Sequence, residues 1–161
     1  MMDMAVTIRR AVPADAPDVS RMVKALTDEI IEIVGQEHFD VDVEATSTLS
    51  REWIHLGTYA AYIALEDASG RIIGVATLCE SRSLYAQGVI GIIQEFYVAP
   101  QWRSREVGAR LVDACVSHAR AAGWTRLELT TPPLPEFART VGFYKDNGFE
   151  ATGGRKMKRL L

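Results

Sequence analysis

Residues 94–111 most constrain what this chain of 161 residues can fold into. They begin with a run that is apolar apart from Gln94 and Glu95, pass through Pro100 and an arginine-rich turn, and end with apolar residues at helical spacing. This order predicts a buried strand that leads through a sharp turn into a helix. Backbone N–H groups and the positive end of the helix dipole then point at one place, which favours a phosphate group. Because the carboxylate of Glu95 lies beside that place, the segment suggests a group-transfer enzyme with a phosphorylated cofactor.

Length and composition set the broad class. A chain of this length is expected to form one domain, residues 1–161, around a single core, and 48% apolar with 24% charged residues is ordinary for a soluble globular protein. The net charge of -3 argues against a nucleic-acid partner. No secretory leader and no apolar run of membrane-spanning length is found, so no membrane association is expected. Cys79 and Cys115 lie far apart in apolar segments and predict buried thiols, which indicates a reducing, cytoplasmic setting.

The first third of the chain predicts a strand followed by two helices. The strand covers residues 6–11, and the first helix begins after an N-cap at Asp15 and ends near Gly35. The second helix is predicted over residues 43–56. Its expected inward-facing residues are Leu49, Trp53 and Leu56.

The remainder alternates between strands and helices. Strands are predicted over residues 59–66, 71–80, 89–98 and 126–131, with a final pair over 149–152 and 156–160. Helices are predicted from Val107 to Gly123 and over residues 136–146. The predicted class is therefore α/β, with a mixed, mostly antiparallel central sheet and flanking helices.

Three motifs in this order resemble the GNAT-type N-acetyltransferases. They are the Val98-x-Pro100 exit from a strand, the basic turn into a helix, and the sequence Phe-Tyr-Lys-Asp-Asn-Gly-Phe at residues 143–149. The resemblance covers nearly the whole chain. It implies an acetyltransferase that uses acetyl-CoA as co-substrate and moves the acetyl group directly to a primary amine in a ternary complex.

The resemblance also implies where acetyl-CoA binds. Family members hold the pyrophosphate with the amides of an Arg/Gln-x-x-Gly-x-Gly/Ala turn, which matches residues 103–108 here, and Glu106 stands where the first glycine is expected. A carboxylate near a pyrophosphate costs about 1 kcal/mol per close pair in solvated surroundings. The implied cofactor-binding residues are Phe96, Tyr97, Val98, Arg103, Ser104, Arg105, Glu106, Val107 and Gly108.

Two side chains are candidates for the chemistry. The resemblance implies that Glu95 deprotonates the amine, which must be neutral to attack a thioester although an alkylamine is mostly protonated at pH 7. It also implies that Tyr144 protonates the departing thiolate, since a phenol stays protonated at neutral pH. The alternatives are a strand glutamate that pairs with an arginine or faces solvent, and a tyrosine that only packs. The amide N–H of Val98 is the implied donor to the acetyl carbonyl oxygen.

Several functional alternatives stay open at the sequence level. The acceptor is expected to be a small-molecule amine, but a protein N-terminus or lysine fits as well, and so does a non-catalytic acyl-CoA-binding regulatory module. The three histidines lack ligand spacing, so no metal is expected, although His38 is a candidate substrate contact. An acidic region, which an amine would favour, comprises Glu29, Glu32, Glu37 and Asp40. A homodimer through sheet edges or the C-terminal strands also stays open.

Overall fold

The computed structural model describes residues 5–36 and 39–161. By backbone contacts the chain divides into two compact units, residues 1–129 and 130–161, and each is described by itself. Its helices and strands, with two short 3-10 turns at Pro13–Asp15 and Pro100–Trp102, are β1 (Val6–Arg10), α1 (Ala16–Val34), α2 (Val43–Leu56), β2 (Tyr59–Glu66), β3 (Ile72–Ser83), β4 (Gly88–Val98), α3 (Val107–Ala121), β5 (Leu127–Leu129) and α4 (Ala138–Asp146). The assignment of all residues to a single domain stays a prediction.

The first unit is built on a five-stranded sheet. Its strands follow chain order, β1-β2-β3-β4-β5, with every neighbouring pair antiparallel except the parallel pair β4 and β5. Tight turns join β2, β3 and β4, whereas the parallel step to β5 needs the crossover through α3. The predicted class, a mixed and mostly antiparallel sheet with flanking helices, is confirmed.

Helices α1 and α2 cover one face of the sheet. Val19 of α1 packs with Ile63, Val75 and Tyr97 in the core, and Ile54 of α2 contacts the same cluster. The two helices approach closely because small side chains meet between them, with the Oγ atoms of Ser20 and Ser50 3.4 Å apart. Odd-numbered residues of β2 and β3 near this cluster therefore point to the α1/α2 face.

Helix α3 covers the opposite face. Its buried side includes Leu111, Val112 and Cys115, and the Cδ1 atom of Leu111 lies 3.3 Å from where a Cβ on Gly74 would stand. Gly74 therefore lets α3 lie close to β3. The apolar spacing that predicted this helix is confirmed.

Helices α1 and α2 begin and end near the predicted positions. Glycines in the left-handed conformation stop them, Gly35 at φ 73° and Gly57 at φ 76°. The inward orientation predicted for three residues of α2 is wrong, since Leu49, Trp53 and Leu56 are 46%, 40% and 63% exposed. The buried face of α2 instead carries Ser50 and Ile54. Ser50 contacts α1, and the three large apolar side chains lie on the exposed side of α2.

The second unit contains helix α4 and no strand among its residues 130–161. The predicted strand pair over 149–152 and 156–160 is wrong, and residues 150–161 are exposed. Four cations between positions 155 and 159 would face one another or their neighbours in such a hairpin, and an isolated two-stranded hairpin is marginal in water. Strand β5 is also shorter than the predicted 126–131, because prolines at 132 and 133 soon follow it.

Candidate active site

A β-bulge interrupts strand β4 where the sequence carries its polar residues. Ile93 pairs with Leu78 and Phe96 pairs with Ala76, so two residues of β4, Gln94 and Glu95, oppose the single residue Thr77. The bulge takes the amide of Glu95 out of the regular ladder, and its N–H donates to Thr77 Oγ1 at 2.9 Å.

The carboxylate of Glu95 accepts hydrogen bonds from two hydroxyl groups on neighbouring strands. The hydroxyl of Tyr59 lies 2.8 Å from Oε1 and 2.7 Å from Oε2, so its proton is shared between both oxygens. Thr77 Oγ1 donates to Oε2 at 2.9 Å. Thr77 is fully buried and Glu95 half-buried, so the carboxylate is fixed at the edge of the core.

Tyr59 is held in its protonated form. Burial and the neighbouring negative charge of Glu95 raise the pKa of Tyr59 well above its ordinary value. Its phenol therefore remains a donor throughout the neutral range. The ring of Tyr59 also contacts that of Trp53, with centroids 5.4 Å apart.

The backbone of Val98 points away from β3. The next amide, that of Ala99, donates to the carbonyl of Ile73 at 2.9 Å, and successive peptide groups of a strand alternate sides. The Val98 carbonyl accepts from Arg103 Nε at 2.8 Å on that other side. Among the described strands, β5 pairs with β4 only at residues 91–93, so the ladder on this side ends before Val98.

The turn into α3 has the backbone of a glycine-rich loop without its glycines. Ser104 and Glu106 adopt positive φ angles of 60° and 65°, a region that favours glycine. Glu106 is the N-cap residue of α3 and its side chain makes no capping hydrogen bond. The N–H groups of Val107 and Gly108 belong to the first turn of the helix, where amides have no partner within the helix. The turn therefore presents backbone donors at a helix N-terminus, as the sequence predicted.

The arginines of this segment are used within the protein. Arg103 pairs with Glu29 of α1, Nη2 to Oε1 at 2.9 Å, and its guanidinium lies 5.4 Å from the Tyr97 ring centroid. Arg110 donates to the carbonyl of Val6 at 2.8 Å, and Arg105 lies over the ring of Trp102. Arg103 therefore connects the turn to α1. Its partner, Glu29, belongs to the acidic region that the sequence predicted.

The other candidate residues are distributed as follows. Tyr144 belongs to the second unit, where its ring packs on Phe143 and Phe149 at centroid distances of 5.3 and 5.7 Å; its role stays a prediction. His38 and Glu37 lie outside the described residues.

His118 of helix α3 is half-buried. Its Nδ1 lies 2.9 Å from the Tyr62 hydroxyl, and burial, with nearby Arg10, lowers the pKa of His118. It lies on α3, on the face of the sheet opposite to Glu95.

Both cysteines are unbridged, and burial raises the pKa of Cys115 to about 12, so that thiol is unreactive. Over residues 5–36 and 39–161 no group of three His, Cys, Asp or Glu side chains is placed to hold a metal ion. Within the same residues no helix has the length and hydropathy to cross a membrane.

Sequence reasoning missed the two residues that hold Glu95. Tyr59 and Thr77 lie 36 and 18 residues before it, and each stands in an apolar strand that predicts only core packing. The one available signal was the register of the antiparallel strands, which places these residues side by side only once the bulge is included.

Comparison with known proteins places the chain in a family. Residues 57–151 match the family described as acetyltransferase (GNAT) domain. Since this is more than half of the chain and includes strands β2 to β5, the bulge and the turn described above, the protein belongs to the GNAT acetyltransferase family. The resemblance inferred from the sequence is confirmed.

One curated relative and two solved structures are similar to this chain over most of its length. Glucosamine 6-phosphate N-acetyltransferase 1 of Oryza sativa subsp. japonica is 27% identical over 139 residues, covering 84% of this chain and 81% of the relative. A predicted acetyltransferase from Clostridium acetobutylicum, solved with acetyl-CoA, superposes with a TM-score of 0.75 at 19% identity, covering 96% of each chain. Glucosamine-6-phosphate N-acetyltransferase from Arabidopsis thaliana gives 0.72 at 16% identity, covering 96% of this chain and 98% of that one. At these identities the structures show the shared fold.

Proposed function

We propose that this protein transfers the acetyl group of acetyl-CoA to a primary amine of a small molecule, with Glu95 as general base. The observation that carries the proposal is the fixed carboxylate of Glu95, set by the bulge on the α1/α2 face a few residues before the outward-pointing amide of Val98. A base and an oxyanion donor on one short segment suit amine attack on a thioester. The small-molecule acceptor draws support from the two relatives named for glucosamine 6-phosphate acetylation.

The chemistry balances with one base and one acid. The neutral amine nitrogen attacks the thioester carbonyl carbon, a C–N bond forms and the C–S bond breaks. The proton lost by the nitrogen passes to Glu95 and then to solvent. The departing thiolate takes a proton, for which Tyr144 is the proposed donor.

Backbone groups are the proposed contacts for acetyl-CoA. The residues present fit the co-substrate at two points: the Val98 N–H, on the side of β4 away from β3, and the first-turn amides of Val107 and Gly108. The guanidinium of Arg103 is engaged with Glu29 and the Val98 carbonyl. It would therefore keep the turn in shape while the amides bind the pyrophosphate.

The test is the variant Glu95→Gln, which keeps an acceptor for the two hydroxyl donors but cannot take the proton. With a panel of amines and thiol release as the readout, we expect kcat/KM at pH 7 to fall about 100-fold, while calorimetry shows unchanged acetyl-CoA binding. The matched control is Glu52→Gln, an exposed carboxylate on α2. Full activity of Glu95→Gln would remove the base assignment, and a wild-type protein that binds no acetyl-CoA at millimolar concentration would overturn the function.

A further inference from the structure

The bulge in β4 places Gln94 on the same face of the sheet as Glu95. In a regular strand these two neighbours would point to opposite faces. The residues on either side of them both pair with even-numbered residues of β3, which face α3. The two residues of the bulge therefore share the other face, which α1 and α2 cover.

The amide of Gln94 is held at one end and available at the other. Its Nε2 donates to Cys79 Sγ at 3.1 Å, and Cys79 stands opposite Tyr59 in the register of β3 and β2. Gln94 is exposed, and among the described residues its amide has no other hydrogen-bond partner. The carbonyl oxygen Oε1 and the second N–H are therefore available as one acceptor and one donor.

The amide and the carboxylate of the bulge lie side by side. Gln94 and Glu95 have side chains of equal length on consecutive Cα atoms, which are about 3.8 Å apart. Hydroxyl groups of Tyr59 and Thr77 hold the carboxylate, and the sulfur of Cys79 holds the amide. A ligand nitrogen at the carboxylate would therefore have its neighbouring atoms within reach of the amide.

The chemistry of an amide favours a hydroxyl group as its partner. An amide offers both a donor and an acceptor, and a hydroxyl group uses both, whereas an ammonium group only donates and an ionised carboxylate only accepts. A net hydrogen bond between neutral groups is worth about 1 kcal/mol, which corresponds to about five-fold in affinity. A contact with Gln94 would therefore discriminate measurably between acceptors that differ by one hydroxyl group.

We propose that Gln94 is a specificity-determining residue of the acceptor site, which hydrogen-bonds a hydroxyl group on the carbon next to the amine-bearing carbon. The preferred acceptor is then a 2-amino alcohol, whose nitrogen approaches Glu95. This rests on the proposed function and adds the substrate class. Cys79 is a positioning residue, because its sulfur fixes the rotation of the Gln94 amide without touching the acceptor.

The experiment compares trans-2-aminocyclohexanol with cyclohexylamine, which lacks only the hydroxyl group, at saturating acetyl-CoA. Because the hydroxyl group also lowers the basicity of the amine, the quantity followed is the preference, defined as the ratio of the two kcat/KM values. Gln94→Met keeps the length of the side chain and removes its hydrogen bonds, so we expect the preference to fall about five-fold. The control Gln87→Met makes the same change at an exposed position between β3 and β4 and should leave the preference unchanged.

Variants of Cys79 test the orientation of the amide. Cys79→Ala removes the acceptor for Nε2 and should lower the preference about two-fold, as the weak end of the range for a hydrogen bond implies. Cys79→Ser supplies another acceptor and should restore the preference, a rescue that a purely packing role would not produce.

The outcomes separate this inference from the proposed function. An unchanged preference in Gln94→Met would overturn the role of Gln94. A wild-type protein that binds acetyl-CoA but acetylates neither amine would overturn the substrate class. Calorimetry that detects no binding of acetyl-CoA would instead remove the proposed function itself.

Discussion

At the scale of single residues, the geometry of Glu95 depends on two positioning residues. Tyr59 and Thr77 each place a hydroxyl on the carboxylate within 2.9 Å. Hydrogen bonds to the ionised form stabilise it against protonation. The carboxylate is therefore held in one direction by residues that need not touch the amine.

Tyr59→Phe should move the acidic limb of the pH profile. Loss of one donor to the ionised form favours protonation of the carboxylate, so we expect kcat/KM to decline at a higher pH than in the wild type. The matched control is Tyr62→Phe, which removes a hydroxyl bonded to His118 from the same strand. Equal pH profiles for Tyr59→Phe and the wild type would reduce Tyr59 to a packing residue.

The sequence predicted the candidate residues but not their setting. Glu95 stood out because a charged residue in an otherwise apolar strand can be recognised from the sequence alone. Tyr59 and Thr77 depend on strand pairing across 36 and 18 residues. A bulge shifts that pairing by one, and neither hydrophobic pattern nor propensity signals it here.

At the scale of elements, the turn before α3 achieves a glycine-type backbone with Ser104 and Glu106. Each such residue at positive φ costs on the order of 1 kcal/mol relative to a relaxed conformation. A side chain also restricts the unfolded turn more than glycine would, and the Arg103–Glu29 pair ties the turn to α1. The turn is thus held in this conformation by contacts within the protein.

Three variants of this turn separate charge from backbone strain. Glu106→Gln removes the charge only, Ser104→Gly removes strain only, and Glu106→Gly removes both. If the carboxylate faces the pyrophosphate, the two Glu106 variants should bind acetyl-CoA about five-fold more tightly, as about 1 kcal/mol implies. Ser104→Gly should bind like the wild type. Calorimetry at low and high salt checks this, and unchanged affinity for Glu106→Gln would show that the carboxylate points into solvent.

Element boundaries were largely predictable, whereas faces and late strands were less so. A side-chain cap begins α2, since Asp42 accepts from the Ala45 amide at 2.7 Å, and left-handed glycines end both helices. Asp15 stands at the predicted start of α1 but makes no capping hydrogen bond. The buried face of α2 was mispredicted because a small residue, Ser50, matters more for α1 contact than the large apolar ones. The strands predicted after residue 148 are absent because alternating apolar and basic residues do not by themselves supply a third strand or a helix to pack against.

At the scale of the whole molecule, an ion pair links the edge of the sheet to the helical layer. Arg9 of β1 donates to both oxygens of Asp15, at 2.8 and 3.0 Å, and Asp15 also accepts from the Val12 amide at 2.7 Å. The hydrogen bond from Arg9 lowers the pKa of Asp15 below its ordinary value of 3.8. The pair fixes the entry into α1.

Acid should therefore weaken the fold through Asp15. Because the pKa of this carboxyl is lower in the folded than in the unfolded protein, its stabilisation is complete above 3.8 and disappears as pH falls through the folded value. We expect Asp15→Asn to lower the free energy of unfolding by about 1 kcal/mol at pH 7, a modest figure because Arg9 is solvent-exposed. Its cost should shrink toward zero in strong acid. Urea titrations at pH 7 and in strong acid measure both effects, with the exposed Asp113→Asn variant as the control. Equal free energies of unfolding for the two variants at both pH values would contradict the prediction.

The bulge in β4 reverses, part-way along the strand, which alternate residues face each helical layer. Tyr97 faces α1 with Val75, yet Ile93, an even number of positions earlier, pairs with Leu78 on the side of α3. Deleting one of the two bulged residues would restore a regular ladder with Ile93 still opposite Leu78, so the upstream side chains would keep their layers while Glu95 lost the bulge that positions it. The bulge therefore lets this strand carry one extra residue, which sets the position of Glu95, without changing which of its side chains enter the core.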